Sequence, residues 1–200
     1  MKKITILFLV ILLCGILYVS IGSQPELTDQ TKDVKINEIK CEYGSVILSM
    51  MSYNVPKNKR QIYADSILES TIKWSEEFGV DLLWAFSLEA RESCFNPRAR
   101  GKHGDCGITQ ITKYAIREYE RLFKEKVSQE EVFNIDRNIE IGVWYLSQKV
   151  KENKGNYRIA LAKYNAGKYW NTNGLEYYRL VNNMRTNILT KKYELANKIR

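Results

Sequence analysis

Carboxylates carry the chemistry that this sequence can offer. The stretch ARESCFNPRARGKHGDCGITQI, residues 90–111, runs a helix into Glu92, passes through a loop with glycines at 101, 104 and 107, and emerges on Gln110. His103 is the only histidine in the chain, so a Ser-His-Asp triad cannot form and a histidine-rich zinc site cannot be assembled. The glycines match neither GxGxxG nor the GxxxxGK form and follow no strand, which removes phosphate cradling. No metal and no cofactor is expected. His103 itself reads as an exposed loop residue.

Glu92 sits in an unusual place for a carboxylate. In the last turn of a helix it faces the negative end of the macrodipole, which disfavours an anion by a few tenths to ~1 kcal/mol. Shielding from water by aromatic residues such as Phe95 and Tyr164 would push its pKa the same way, and the group would become a proton donor near neutral pH. Cleaving an acetal needs such a donor, because the leaving oxygen must be protonated. On position alone, a solvated glutamate at a helix end competes with this reading. The glycine loop lets the backbone come close to a polymer strand, and the amide of Gln110 suits sugar hydroxyls and acetamido groups. In AKYNAG, residues 162–167, Tyr164 and Asn165 share a helix end, where the phenol can hydrogen-bond Glu92 and orient it or can be a core aromatic. Cys94 and Cys106 bracket the loop and are candidates for a disulfide that would restrain it by ~2–4 kcal/mol, with Cys41 as a competitor.

Helices must position these residues. Tyr63, Ile67, Trp74 and Phe78 fall at helical spacing from Lys59 onward, and Gly79 is placed to stop that helix. Asp81 caps the next, which buries Leu82, Leu83, Phe86 and Ala90 on one side and ends near Ser93. Thr112 caps a helix to about Lys124, and SQEE at 128–131 has the capping-box spacing. Asp136 opens a helix with Ile139, Val143, Leu146 and Val150 on one stripe. Asn156 starts another that Gly167 ends, and a last one begins near Leu175 and carries Val181, Met184 and Ile188. The sum is one predominantly α-helical domain over 59–200 with a trace of β-structure. Residues 23–58 are polar without sustained periodicity and read as a linker.

The first 22 residues, MKKITILFLVILLCGILYVSIG, read as an export signal or an N-terminal membrane anchor: the apolar run exceeds a usual signal core yet is short of the ~20 residues that span a bilayer. Cys14 reads as a membrane-buried cysteine, not a lipidation site, because bulky leucines precede it. The protein is expected to be exported to the periplasm or cell envelope, with membrane contact through the N-terminal segment if that is kept. Net charge is +8, and residues 151–200 account for that much alone, with eleven Lys and Arg against three Glu. Such a tail in an exported protein suits anionic envelope polymers or lipid head groups better than nucleic acid, or is a solvated helical surface.

The segment from Glu92 to Gln110 resembles the lysozyme-like domain of soluble lytic transglycosylases, whose pattern E-S-x-F-N-P-x-A-x-S-x-x-G-x-x-G-L-M-Q aligns without a gap. Glu92, Ser93, Phe95, Asn96, Pro97, Ala99, Gly104, Gly107 and Gln110 match. NIEIGVWYL at 138–146, AKYNAG at 162–167 and, loosely, YYRLV from Tyr177 are similar to later elements of that family in the same order. The resemblance implies an α+β lysozyme-like fold and cleavage of the β-1,4 bond between N-acetylmuramic acid and N-acetylglucosamine in peptidoglycan. It implies that Glu92 first protonates the glycosidic oxygen and then, as carboxylate, takes the proton of the muramoyl C6 hydroxyl as that oxygen attacks C1, leaving a 1,6-anhydro sugar. Ser93, Gln110, Tyr164, Asn165 and Tyr177 form the implied glycan-binding set. Gly101, Thr109 and Lys163 depart from the family's serine, methionine and alanine, which bears on groove shape and substrate preference and leaves the acid untouched.

Two other readings remain open. A goose-type-lysozyme-like muramidase would let water attack instead and would need a second carboxylate about 6.5–9.5 Å from Glu92 if inverting, with Asp105 the candidate and Glu89 a poorer one. A catalytically idle protein would bind glycan or scaffold a secretion, conjugation or phage-entry complex in the envelope.

Overall fold

The computed structural model describes residues 29–200 except 168, 169, 172, 199 and 200. The expected signal or anchor over residues 1–22, with Cys14, lies outside them, as does the side chain of Cys41. The chain divides into two compact units, residues 1–36 and residues 37–200. Helices α1 (Asp29–Met50), α2 (Arg60–Phe78), α3 (Leu82–Ser93), α4 (Lys113–Phe123), α5 (Ile135–Glu152), α6 (Tyr157–Ala166) and α7 (Asn173–Lys198) are joined by short loops and by 3-10 turns at Lys57–Lys59 and Glu131–Phe133. Pairing outside helices among the described residues is limited to isolated antiparallel bridges, Arg100 with Cys106 and Cys106 with Ile111. The β component of the expected α+β fold is therefore confined to the loop after Glu92.

Most helix boundaries follow from side-chain caps. The carboxylate of Asp81 accepts from the Trp84 N–H at 3.1 Å, the Thr112 hydroxyl oxygen from Ala115 at 3.1 Å, and the Asn156 side chain from Ile159 at 3.3 Å. Gly79 ends α2 at φ 67°, a left-handed geometry that glycine takes without a Cβ clash. Ser128 and Glu131 exchange the two bonds of a capping box, at 2.7 and 3.2 Å, but open only the short 3-10 turn. Asn134, not Asp136, caps α5, its side chain accepting from the Arg137 N–H at 3.0 Å. Asp136 instead accepts from the indole N–H of Trp74 at 2.9 Å and so ties α5 to α2.

The expected linker over 23–58 does not describe residues 37–58. Val46, Ile47, Met51 and Val55 are all at most 5% exposed and join the same core as Ile67, Leu68 and Phe86. Tyr43 stacks on Phe86 with ring centres 5.2 Å apart. The apolar stripe at 39, 43, 46, 47 and 50 has helical spacing, but Lys40, Glu42, Gly44, Ser45 and Ser49 dilute it.

Helix α5 is buried on two sides. Ile139, Val143 and Leu146 belong to the main core with α3, while Ile141, Trp144 and Tyr145 pack with Tyr119 of α4 and Phe133 in a second apolar cluster. The loop that follows Glu92 threads between these layers, so its position is set by α5.

Candidate active site

Helix α3 delivers Glu92 and then stops abruptly. Cys94 and Phe95 take positive φ values of 50° and 57°, which turns the chain sharply out of the helix. Each such residue costs roughly 1–2 kcal/mol, and burying Phe95 stabilises by about 2–3 kcal/mol, the ring being 1% exposed. Ser93 locks the same corner: its hydroxyl donates to the Ile108 carbonyl at 2.8 Å and accepts from the Asn96 N–H at 3.1 Å. Ser93 was expected to bind glycan; its side chain is instead committed to holding the two ends of the loop together.

Asn138, in the first turns of α5, clamps the far end of the loop. Its side-chain oxygen accepts from the Thr109 N–H at 2.9 Å, and its amide donates to the carbonyls of Cys106 at 3.0 Å and Val132 at 2.8 Å. Gly107, at φ 75°, has no room for a Cβ because the Asn138 amide occupies that space, and Gly142 leaves room for the Thr109 side chain in the same way. Thr109 is wholly buried with its hydroxyl 2.9 Å from the Asn138 side-chain oxygen, so it lies beneath the groove and not on its floor. Gln110 takes φ 48°, and its amide donates to the Gly107 carbonyl at 2.8 Å. The hollow left by Gly101 is filled from within: a Cβ there would stand 2.8 Å from the Gln110 side-chain oxygen and 3.0 Å from the Asp105 carboxylate.

Tyr177, on α7, donates its phenolic hydrogen to Oε1 of Glu92. The expected partner was Tyr164, whose hydroxyl donates instead to the Thr109 carbonyl at 2.9 Å. The reason is packing: Tyr164 at the end of α6 reaches across to the loop, while α7 lies along α3 and brings Tyr177 to the acid. Glu92 is pushed up to about 7, first by loss of solvent and further by the negative charge of Asp105, against the opposing pull of Tyr177 and Arg91. Burial also pushes the phenols of Tyr177 and Tyr164 well above their ordinary range, so both remain neutral donors. One turn earlier Glu89 is fully buried, hydrogen-bonds the Thr71 hydroxyl at 2.8 Å, and has no partner for Oε2 among the described residues. Burial holds that carboxyl well above its usual range, which disfavours the carboxylate that activating a water would require.

Asn165 is exposed and, with Tyr164, Tyr145, Tyr114, Thr112 and Gly167, lines a cleft of about 590 Å³ beside the site. Aromatic faces and side-chain amides are what a sugar-binding wall needs. Of the expected set, Tyr177 bonds Glu92 and Tyr164 lies near enough to feel its charge, while Gln110 bonds within the loop and Asn165 lines the cleft; Asn138 and Thr71 were not foreseen. The glycines at 107 and 142 were the signal for Asn138, because each marks a close approach. The proposed Cys94–Cys106 disulfide is not formed: both are free thiols. Cys94 is an exposed helix cap, and the Cys106 thiol donates to the Gly104 carbonyl at 3.3 Å.

Comparisons with known proteins place this geometry. The family model for the transglycosylase SLT domain matches residues 69–180, from α2 into α7, which includes Glu92, Asn138, Tyr164 and Tyr177. The X-ray structure of the lytic transglycosylase Slt from Pseudomonas aeruginosa, an inactive glutamate-to-glutamine mutant, is similar in fold, with 23% identity and a TM-score of 0.55. That likeness covers 62% of this chain and 24% of the other, so the chain spans about a quarter of that protein's length. No curated protein matches the sequence. With the matched domain covering more than half of its residues, the chain belongs to the transglycosylase SLT domain family.

Proposed function

We propose that this protein is a peptidoglycan lytic transglycosylase that breaks the β-1,4 bond between N-acetylmuramic acid and N-acetylglucosamine and leaves a 1,6-anhydro end. One observation carries the reading: Glu92 is a half-buried carboxyl shifted to about 7, with the Tyr177 phenol on one oxygen. Near neutral pH a large fraction of Glu92 holds its proton on the oxygen that Tyr177 leaves free. It gives that proton to the glycosidic oxygen as the C1–O bond breaks. The resulting carboxylate, again favoured by the Tyr177 bond, removes the proton of the muramoyl C6 hydroxyl as O6 closes on C1. Atoms balance without water, and the proton returns to Glu92 for the next turnover. Gln110, Tyr164 and Asn165 would hold the glycan in register, and orientation of this kind removes several kcal/mol from a barrier, on the order of 7–11 at best. The site of action would be the periplasm or cell envelope, with residues 1–22 as export signal or membrane anchor; a secretion, conjugation or phage-entry complex would be a fitting partner.

A hydrolytic, goose-type outcome has one observation in its favour: Asp105 lies close enough for its charge to raise Glu92, so a second carboxylate is at hand. Replacement of Glu92 separates an enzyme from an idle scaffold. Glu92→Gln is expected to reduce release of anhydromuropeptides from purified peptidoglycan by at least ~100-fold while glycan still binds. Undiminished release would defeat the assignment of Glu92 as the acid.

A further inference from the structure

We propose that Glu89 is a positioning residue that works as an uncharged acid: its own hydrogen, given to Thr71, ties α3 to α2 one turn before Glu92 and holds Glu92 in place. The positioning role rests on the function proposed above; the uncharged state of Glu89 does not. A count of hydrogens carries the inference. Thr71 Oγ1 lies 2.7 Å from the Ile67 carbonyl oxygen, one turn back in α2, and 2.8 Å from Oε1 of Glu89. Both are hydrogen-bond lengths for a pair of oxygens, so each contact needs a hydrogen between its atoms. A hydroxyl has one hydrogen and a carbonyl has none. Were Glu89 a carboxylate, the single hydrogen of Thr71 would have to serve both contacts. As an acid, Glu89 donates to Thr71, Thr71 donates to Ile67, and the count closes.

The surroundings leave the charged form without support. Glu89 and Thr71 are wholly buried, and Oε2 of Glu89 has no partner among the described residues. A buried carboxylate with an unpaired oxygen costs far more than a buried acid whose carbonyl oxygen is unpaired. Burial and the Thr71 bond act on Glu89, with no opposite charge beside it among the described residues. On α2, Glu69 is paired with Lys40 and Lys73 with Asp136, both at the surface. On α1, Glu42 is paired with Lys192. Helix α5 gives this core Ile139, Val143 and Leu146. On α6, Tyr164 is near enough to feel a charge on Glu89 and is kept uncharged by its own burial. On α7, Tyr177 is bonded to Glu92, and the Arg185 guanidinium lies 5.0 Å over the ring of Trp84, five residues before Glu89.

Glu92 follows Glu89 by three residues on the same helix, so what fixes α3 about its axis at one fixes the other. The Thr71 bond holds α3 to α2 at Glu89, and α7 brings Tyr177 to Glu92. Loss of the Glu89 hydrogen would break the tie and leave a bare charge in the core. The folded chain keeps this proton where the unfolded chain, above the ordinary value of 4.5, releases it. The contribution to stability is therefore full below that value and drains as pH rises.

Two variants test this. Glu89→Gln keeps the shape and supplies an amide hydrogen to Thr71, whereas Glu89→Met keeps the bulk and supplies none. Denaturant unfolding of the native protein and of Glu89→Gln is compared from roughly pH 5.5 to pH 7.5, where the ratio of their unfolding constants is expected to widen about tenfold per pH unit. Taking the ratio cancels the groups that titrate in both proteins. In cleavage of purified peptidoglycan, Glu89→Gln is expected to keep kcat within about twofold of native, and Glu89→Met to lose kcat several-fold at unchanged KM. A ratio that does not move with pH would overturn the uncharged state of Glu89. A Glu89→Gln variant as inactive as Glu92→Gln, or a Glu89→Met variant with native kcat, would overturn the positioning role. A native protein that releases no anhydromuropeptides sinks the proposed function instead, and the unfolding comparison still decides the charge of Glu89.

Discussion

A carboxyl with a phenol on one oxygen has the other free to carry the proton, and that division of labour sets the behaviour of Glu92 and Tyr177. The bond from Tyr177 favours the carboxylate, so its removal raises Glu92 further above about 7. Tyr177→Phe keeps the buried ring and removes only the donor. The basic limb of the kcat/KM profile, which reports loss of the proton from the free enzyme, is expected to move to higher pH while kcat falls several-fold. An unmoved or lowered limb would contradict the assignment. The same shift has a stability consequence with a definite sign. Between the ordinary value of 4.5 and about 7 the folded protein holds a proton that the unfolded chain releases, so stability falls as pH rises across that window. Glu92 itself was legible because its helix-end position and the residues after it both point to an acid. Which phenol reaches it was not legible, since Tyr164 and Tyr177 lie on different helices and only the packing of α7 against α3 decides. Glu89 was legible in principle: it sits seven residues after Leu82 and three after Phe86, on the apolar stripe of α3, where a charged form has no solvent.

At the scale of elements, the loop after Glu92 is positioned less by its own turns than by α5. The Asn138 side chain bonds the Thr109 N–H and the carbonyls of Cys106 and Val132 in a largely buried region. Asn138→Ala is expected to destabilise the protein by about 2–4 kcal/mol, read as a lower midpoint of denaturant unfolding at unchanged slope, and to reduce cleavage because Gln110 loses its support. A loss of less than about 0.5 kcal/mol, the size of an ordinary surface change, would show that the clamp does not hold the loop. The helices on either side of the loop were readable from caps and periodicity, and Asp81, Thr112 and Asn156 cap as expected. The contact between Gly142 and Thr109 was not, because a glycine inside a helix does not announce which neighbour needs the space. It also explains why this chain tolerates threonine where the resembling family has methionine: the side chain is part of the clamp, not of the groove.

At the scale of the whole molecule, residues 37–58 complete the core and do not merely tether it. Val46, Ile47, Met51 and Val55 are buried against α2 and α3, and each such side chain stabilises by ~1.5–3 kcal/mol. The Lys192 ammonium pairs with Glu42 at 2.8 Å and so joins the far end of α7 to α1. A chain beginning at residue 59 is expected to melt at least 10 °C lower than one beginning at residue 37, or to fail to fold. That drop follows from a loss of several kcal/mol at roughly 2–4 °C each; equal melting of the two would restore the linker expectation. The helices from α2 onward were legible from the sequence, but the polar residues around Val46 and Ile47 concealed the stripe of α1, which only the opposing surface of α2 and α3 reveals. The central claim, that one carboxyl both gives and takes the proton and that water takes no part, is tested most directly by digesting peptidoglycan in heavy-oxygen water and weighing the products. The account predicts 1,6-anhydromuramoyl ends that carry no label; labelled reducing ends would contradict it and assign the attack to water activated by Asp105.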